Sequence, residues 1–135
     1  MAFKHGSAAA ISVSANLLTA YCDNISLTRD RDTAETTVFG IADKTHIQGL
    51  LSGSLSVSGN YDPTASTGPA AVLETALTGA AAVACIYYPG GNSSGQRSHS
   101  FSGIVTNYAE TSGVGDKVTF SASILVTGAV TTATI

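Results

Sequence analysis

The sequence predicts a mainly β fold carrying a single helix, and three observations make that prediction. From Leu51 to Tyr61, the residues Leu51, Gly53, Leu55, Val57, Gly59 and Tyr61 alternate without a break with Ser52, Ser54, Ser56, Ser58 and Asn60. A period of two over this length belongs to a strand with one face on a core and the other in contact with something polar. The same theme closes the chain, where Val118, Phe120, Ala122, Ile124 and Val126 alternate with Thr119, Ser121, Ser123, Leu125 and Thr127. Only one stretch, about 68–78, has the spacing of an amphipathic helix, with Val72, Leu73, Ala76 and Leu77 on one stripe and Glu74, Thr75 and Thr78 outside it.

Each further element follows in order. Alternation first appears in Ala10–Ala15 and returns in Asn24–Arg29. Residues 30–48 hold most of the charge and little periodicity, so they are expected to form a long charged loop with a short strand at Thr36–Phe39. The helix is expected to start at Thr67 or Gly68, with Pro69 in its first turn and Gly79 in the left-handed position after its last. Ala82–Tyr88 is an almost unbroken apolar run that fits a buried central strand, and Pro89–Gly95 is a Gly/Ser hairpin connection. Ser98–Thr111 is extended. Its apolar phase shifts near Ile104 and Val105, which is the mark of a bulge or of burial on both sides. Ser112–Asp116 then makes a tight turn into the last strand.

At 135 residues the chain is one domain with one modest core. Hydrophobic residues make up 44% and charged residues only 11%, against about 25% in ordinary globular chains. The missing charge is replaced by Ser, Thr, Gly and Ala, a composition that suits a surface covered by a partner. The net charge of −3 and the scattered Lys4, Arg29, Arg31, Lys44, Arg97 and Lys117 leave no basic footprint for gripping nucleic acid. Asp30 and Asp32 interleave with Arg29 and Arg31, so that stretch is locally neutral. Met1–Ser7 lacks a charged region followed by an apolar run, and no stretch approaches the roughly 18 apolar residues of a membrane span. The expectation is a chain that stays in the cytoplasm where it is made. Cys22 and Cys85 lie far apart with no CxxC, and are expected to be free, partly buried thiols.

Catalytic patterns do not survive inspection. Gly91-Asn92-Ser93-Ser94-Gly95 matches GxSxG formally, but that elbow needs a helix after it, and here a strand is expected. His5, His46 and His99 lack metal-ligand spacing, and His99 falls on the strand face of Phe101, where packing is its simplest role. Gly113-Val114-Gly115 is a turn rather than a phosphate loop. The expectation is a non-enzymatic protein with no catalytic residue, no cofactor and no metal.

An ordered set of segments gives the chain a more specific likeness. Asp32-Thr33 leads to Thr36-Thr37-Val38-Phe39-Gly40, and Lys44–Leu50 runs into a long strand ending Ser58-Gly59-Asn60-Tyr61-Asp62. One helix follows, and the chain closes with Gly115–Ala122 and Val126–Val130. In this order and at this length the chain resembles the major tail tube proteins of long-tailed, siphovirus-like bacteriophages. The resemblance implies an antiparallel two-sheet β-sandwich or barrel with a flanking helix. It also implies a virion tail protein, made in the host bacterial cytoplasm, whose six-copy rings stack into a hollow helical tube for genome ejection.

Its partners would then be itself and other phage tail proteins, with DNA passing through unbound and no membrane involved. On that reading Ser52, Ser54, Ser56, Ser58, Thr119, Ser121 and Ser123 are candidates for lining the bore. Arg29, Asp30, Arg31, Asp32, Glu35, Asp43 and Lys44 are candidates for the contact between rings. Six copies at −3 each give a ring of −18, which repels DNA rather than holding it. The chain is short for the family, which makes Met1–Ser7 and Thr131–Ile135 alternative sites for inter-ring arms. Two other functions fit the composition: a head decoration or head-to-tail connector protein, and a carbohydrate- or receptor-binding β-sandwich. The second is disfavoured by the absence of Trp.

Overall fold

The computed structural model describes residues 5–135. A 3₁₀ turn at Gly6–Ala8 precedes β1 (Ala10–Val13), β2 (Asn16–Leu17), β3 (Cys22–Glu35) and β4 (His46–Asn60). Then come α1 (Pro69–Thr78), β5 (Val83–Tyr88), β6 (Arg97–Thr111) and β7 (Thr119–Thr134). All strand pairs are antiparallel, as the alternating sequence and short turns predict.

The strands form one continuous sheet in the order β2-β1-β5-β6-β7-β4-β3. The expected two layers are thus two parts of a single hydrogen-bonded sheet. Its outer strands β2 and β3 do not pair, so no barrel closes. One core cluster nevertheless gathers Ile11 and Val13 of β1, Leu55 and Val57 of β4, Cys85, Phe101, Val105, Phe120, Ala122 and Ile124. Residues so far apart in strand order share a core because the sheet twists and curls about it. Gly59 makes one close approach possible. The Tyr21 carbonyl lies where a Gly59 Cβ would stand, and it accepts a hydrogen bond from Asn60 N–H at 2.8 Å.

α1 fills the remaining gap over β6 and buries Pro69, Ala70, Val72 and Leu73. Its apolar stripe therefore sits toward the N-terminal end; Ala76 is half-buried and Leu77 exposed. Gly79 is extended (φ −71°, ψ 159°) rather than left-handed, because the chain leaves the helix straight toward β5. β1 stops at Val13, and Ser14 and Ala15 take positive φ (53° and 67°) in the two-residue turn to β2. That geometry matches the twist of a tight hairpin. β5 is interior to the sheet, between β1 and β6, but only Cys85 within it is fully buried.

The phase shift in β6 is a real bulge. Its register with β7 slips between Val105 and Asn107, and again between Ser100 and Ser102. The slip turns Tyr108 toward the core, where its ring stacks on Phe120 with centroids 6.2 Å apart.

The largest departure from the sequence reading lies at 30–48. Residues 30–35 continue β3 and 46–48 begin β4, so only 36–45 lie outside strands, and Thr36–Phe39 is not a strand. The pairing runs from Cys22↔Gly59 to Glu35↔His46. These strands showed no alternation in the sequence because every residue from Thr28 to Ser52 is exposed, so no buried face imposes a period.

Candidate assembly surfaces

The sheet face away from the core carries small hydroxyls in register across strands. Ser26, Ser56, Ser123 and Asn107 lie opposite one another through β3, β4, β7 and β6, and Asn24, Ser58, Ser121 and Ala109 form the next row. Asn60, Thr119 and Thr111 make a third. Thus Ser54, Ser56, Ser58, Thr119, Ser121 and Ser123 belong to one continuous surface, with Ser52 farther along β4 opposite Asp30. Ser58 and Thr119 are half-buried and the other candidates are exposed. Asp23 borders the patch and accepts a hydrogen bond from Ser58 Oγ at 3.3 Å.

The patch has an apolar border at Leu125, which the alternation of the last strand already placed on the hydroxyl face. Leu125 pairs with Ile104 across β7 and β6, and both are about half exposed, at 50% and 46%. On β4 the same row continues with Ser54.

The second surface is the β3–β4 arm. β4 pairs with β7 only from Ser54 to Asn60; beyond Ser54 it pairs with β3 alone, and β7 continues with β6 alone. At about 3.3 Å per residue the free part, His46–Gly53, is about 25 Å long. Arg29, Asp30, Arg31 and Asp32 lie along this arm, Glu35 ends β3, and Asp43 and Lys44 lie in the tip loop. Arg31 Nη1 donates to Gln48 Oε1 at 2.8 Å across the pair. Thr36 and Thr45 join their hydroxyls at 2.8 Å, and Thr37 Oγ1 accepts from Thr45 N–H at 2.9 Å, which fixes the base of the loop.

The arm is as apolar as it is charged. Val38, Phe39, Ile41, Ile47, Leu50 and Leu51 are all exposed, Phe39 completely so (107%). The charge of this segment hid that property. Its signal was the run of β-branched and aromatic residues without a core period to serve. Of the two termini considered for inter-ring contacts, Met1–Lys4 lie outside the described residues, while Thr131–Thr134 complete β7.

Burial pushes the Cys85 thiol up to about 11, and burial together with the Asp23 charge does the same for Cys22. Both are free and held as neutral thiols. His99 lies opposite Tyr87, with its ring stacked at 6.3 Å, and its Nδ1 is 3.0 Å from Thr132 Oγ1. Burial, then the Arg29 and Arg97 charges, lower its pKa. Gly91–Gly95 joins β5 to β6 and has no helix after it. Among the described residues no group of three or more His, Cys, Asp or Glu is placed to hold a metal, and no helix is long and apolar enough to cross a membrane.

No protein-family model and no curated protein sequence matches the chain. Solved structures do. A chain from the virion of a native gene transfer agent particle aligns over 97% of this chain and 99% of its own, with TM-score 0.81 and 12% identity. A chain of the SPP1 tail tube aligns over 98% of this chain and 80% of its own, with TM-score 0.79 and 10% identity. A third, from the tail of an empty gene transfer agent particle with C6 symmetry, aligns over 84% and 82% with TM-score 0.68 and 11% identity. The fold over nearly the whole chain is thus one found in phage-type tails and tail tubes.

Proposed function

We propose that this protein is the structural subunit of a bacteriophage-type tail tube, assembling with copies of itself into stacked rings of six around a channel for DNA. The observation that carries the reading is the hydroxyl face spanning β3, β4, β7 and β6, set in a fold that the SPP1 tail tube shares over 98% of this chain. Small neutral hydroxyls lining a bore give a moving polyanion nothing to grip, and the net charge of −3 on each copy keeps DNA repelled.

The outer edges of the sheet support the same reading. β3 is a 14-residue edge strand, and long unpaired edges invite aggregation unless something pairs with them. Head-to-tail pairing around a closed ring removes them. The sixfold number takes its support from the C6 symmetry of the gene transfer agent tail. On this reading the β3–β4 arm makes the contact between rings, the protein's place is the virion tail, its other partners are neighbouring tail proteins, and it performs no catalysis.

Negative-stain electron microscopy of the purified protein at rising concentration, with its mass in solution, tests this. Hollow tubes or stacked rings are expected. A monomer or trimer that never polymerises overturns it, and a trimer that binds capsids supports a head decoration protein instead. Replacing Arg29, Asp30, Arg31 and Asp32 together with Ala is expected to weaken stacking; intact tubes from that variant remove these charges from the ring contact.

A further inference from the structure

Strand geometry sorts the charges at the root of the arm. Successive residues of a strand face opposite sides, and on β3 Ile25 and Leu27 pack against the core. Arg29 and Arg31 continue that side, opposite Gly53 and Leu51, whereas Asp30 stands opposite Ser52 on the hydroxyl side. β6 behaves in the same way. Phe101 is buried in the core, His99 lies two residues before it on the same side, and Arg97 two before that. The register sets His99 in one row with Ile11, Tyr87 and Thr132. Where the core-facing sides of β3 and β6 run past their last core residue, both therefore end in cations. β3 and β6 are not neighbours in the sheet, yet the Arg29 charge reaches the His99 ring together with that of Arg97, and both are positive.

We infer that Arg29, Arg97 and His99 form a binding site for a free dianionic oxyanion, sulfate or phosphate in kind, between the root of the arm and the body of the sheet. Such a site belongs to the single chain and needs no second copy. Two guanidinium forks supply paired donors of the geometry that oxyanions take. The His99 ring is fixed by its stack on Tyr87 at 6.3 Å and by Thr132 Oγ1 at 3.0 Å from Nδ1, which leaves Nε2 for the ligand. Three groups that repel one another when charged become attractive through a shared counter-ion, and a dianion balances them better than a single carboxylate. Tyr87 and His99 are half-buried while Arg29, Arg97 and Thr132 are exposed, so an ion enters without any opening of the chain. The site lies on the side of β3 away from the hydroxyl face, so its ligand is a free ion and not DNA carried past that face. Bound there, the ion ties Arg29 of the arm to Arg97 and His99 of the body.

The test follows the imidazole protons of the unassembled protein by NMR as pH is varied, in sulfate and in chloride at equal ionic strength. The signal lost in His99→Gln identifies His99 against His5 and His46. In chloride His99 should titrate below its ordinary 6.5. Sulfate should raise that value by about one unit, because a close counter-charge favours the imidazolium, and the rise should saturate while His5 and His46 stay where they are. Arg29→Gln and Arg97→Gln should each weaken sulfate binding roughly tenfold, the worth of one charge-assisted hydrogen bond. Both variants should keep the wild-type Tm, since both side chains are exposed. An equal rise in chloride, or equal movement of all three histidines, means screening only and overturns the inference. Sulfate bound by Arg29→Gln as tightly as by wild type also overturns it, because the site then does not join arm to body. Neither result touches the tail-tube reading, which stands or falls by microscopy.

Discussion

β4 is one strand with two lives. From Gly53 to Gly59 its odd residues are buried and its even ones stay on the hydroxyl face, whereas from His46 to Ser52 every residue is exposed. Leu51 and Leu55 sit four residues apart on the same side of the same strand, yet Leu55 is wholly buried and Leu51 is 62% exposed. The first half is held by its own chain: β7 on one edge, β3 on the other, and the core beneath. The second half has only β3, and a lone two-stranded ribbon is marginal in water. Its length and apolar character add little to the stability of the monomer. Under the proposed function they are surface kept for another copy.

The body half should respond to change as a core does. Leu55→Ala is expected to cost about 3–4 kcal/mol, as buried leucines do when cavities cannot collapse, with a fall in Tm of about 10 °C or more by thermal denaturation. Gly59→Ala comes next, at about 2–3 kcal/mol. The new Cβ meets the Tyr21 carbonyl, which cannot retreat without losing its bond from Asn60 N–H. A wild-type Tm for either variant would mean that this half of the sheet is not packed as described.

Alkaline pH offers a smaller probe of the same core. Cys85 rises from its ordinary 9.0 to about 11 on burial, so the folded state favours the neutral thiol. The stability this contributes is complete below pH 9 and is lost as pH climbs from about 9 to 11; a shift of that size is worth at most about 2–3 kcal/mol. Stability curves of wild type and Cys85→Ala measured from pH 7 to 11 should therefore converge at the alkaline end. Parallel curves would show that Cys85 titrates as it does in the unfolded chain.

The body was readable in the sequence, and the arm was not, for one physical reason. Alternation in 51–61 and 118–127 is the imprint of a one-sided core, so these strands, their inward faces and the hydroxyl face of each followed directly. The bulge near Val105 was visible too, because Tyr108 must still reach Phe120 after the phase slips. No described residue buries the arm, so no one-sided core gives its sequence a period, and it reads as a loop. Local glycines misled for a related reason: Gly79 follows the helix but lies extended, since the path to β5 is set by packing beyond the helix end. The single, unclosed sheet was hidden because the sequence tells which way each strand faces but not which strand lies beside which.

The smallest expected effect on stability is the sharpest test of the contrast. Leu51→Ala deletes the same atoms as Leu55→Ala, on the same strand and the same side, but from a position already in water. Its stability should change by less than about 0.5 kcal/mol, the range of surface substitutions, while Leu55→Ala loses several times that. Assembly should rank them the other way. Leu51→Ala should fold as wild type and polymerise less readily, because the exposed leucine adds contact area only when a second copy arrives. Paired Tm and sedimentation measurements on the two variants decide it. If Leu51→Ala lowers Tm as much as Leu55→Ala does, the arm is packed against its own body in solution and is not held out for a partner. If it alters neither Tm nor sedimentation, Leu51 contributes to neither surface, and the arm contact narrows to the charges and the Phe39 tip.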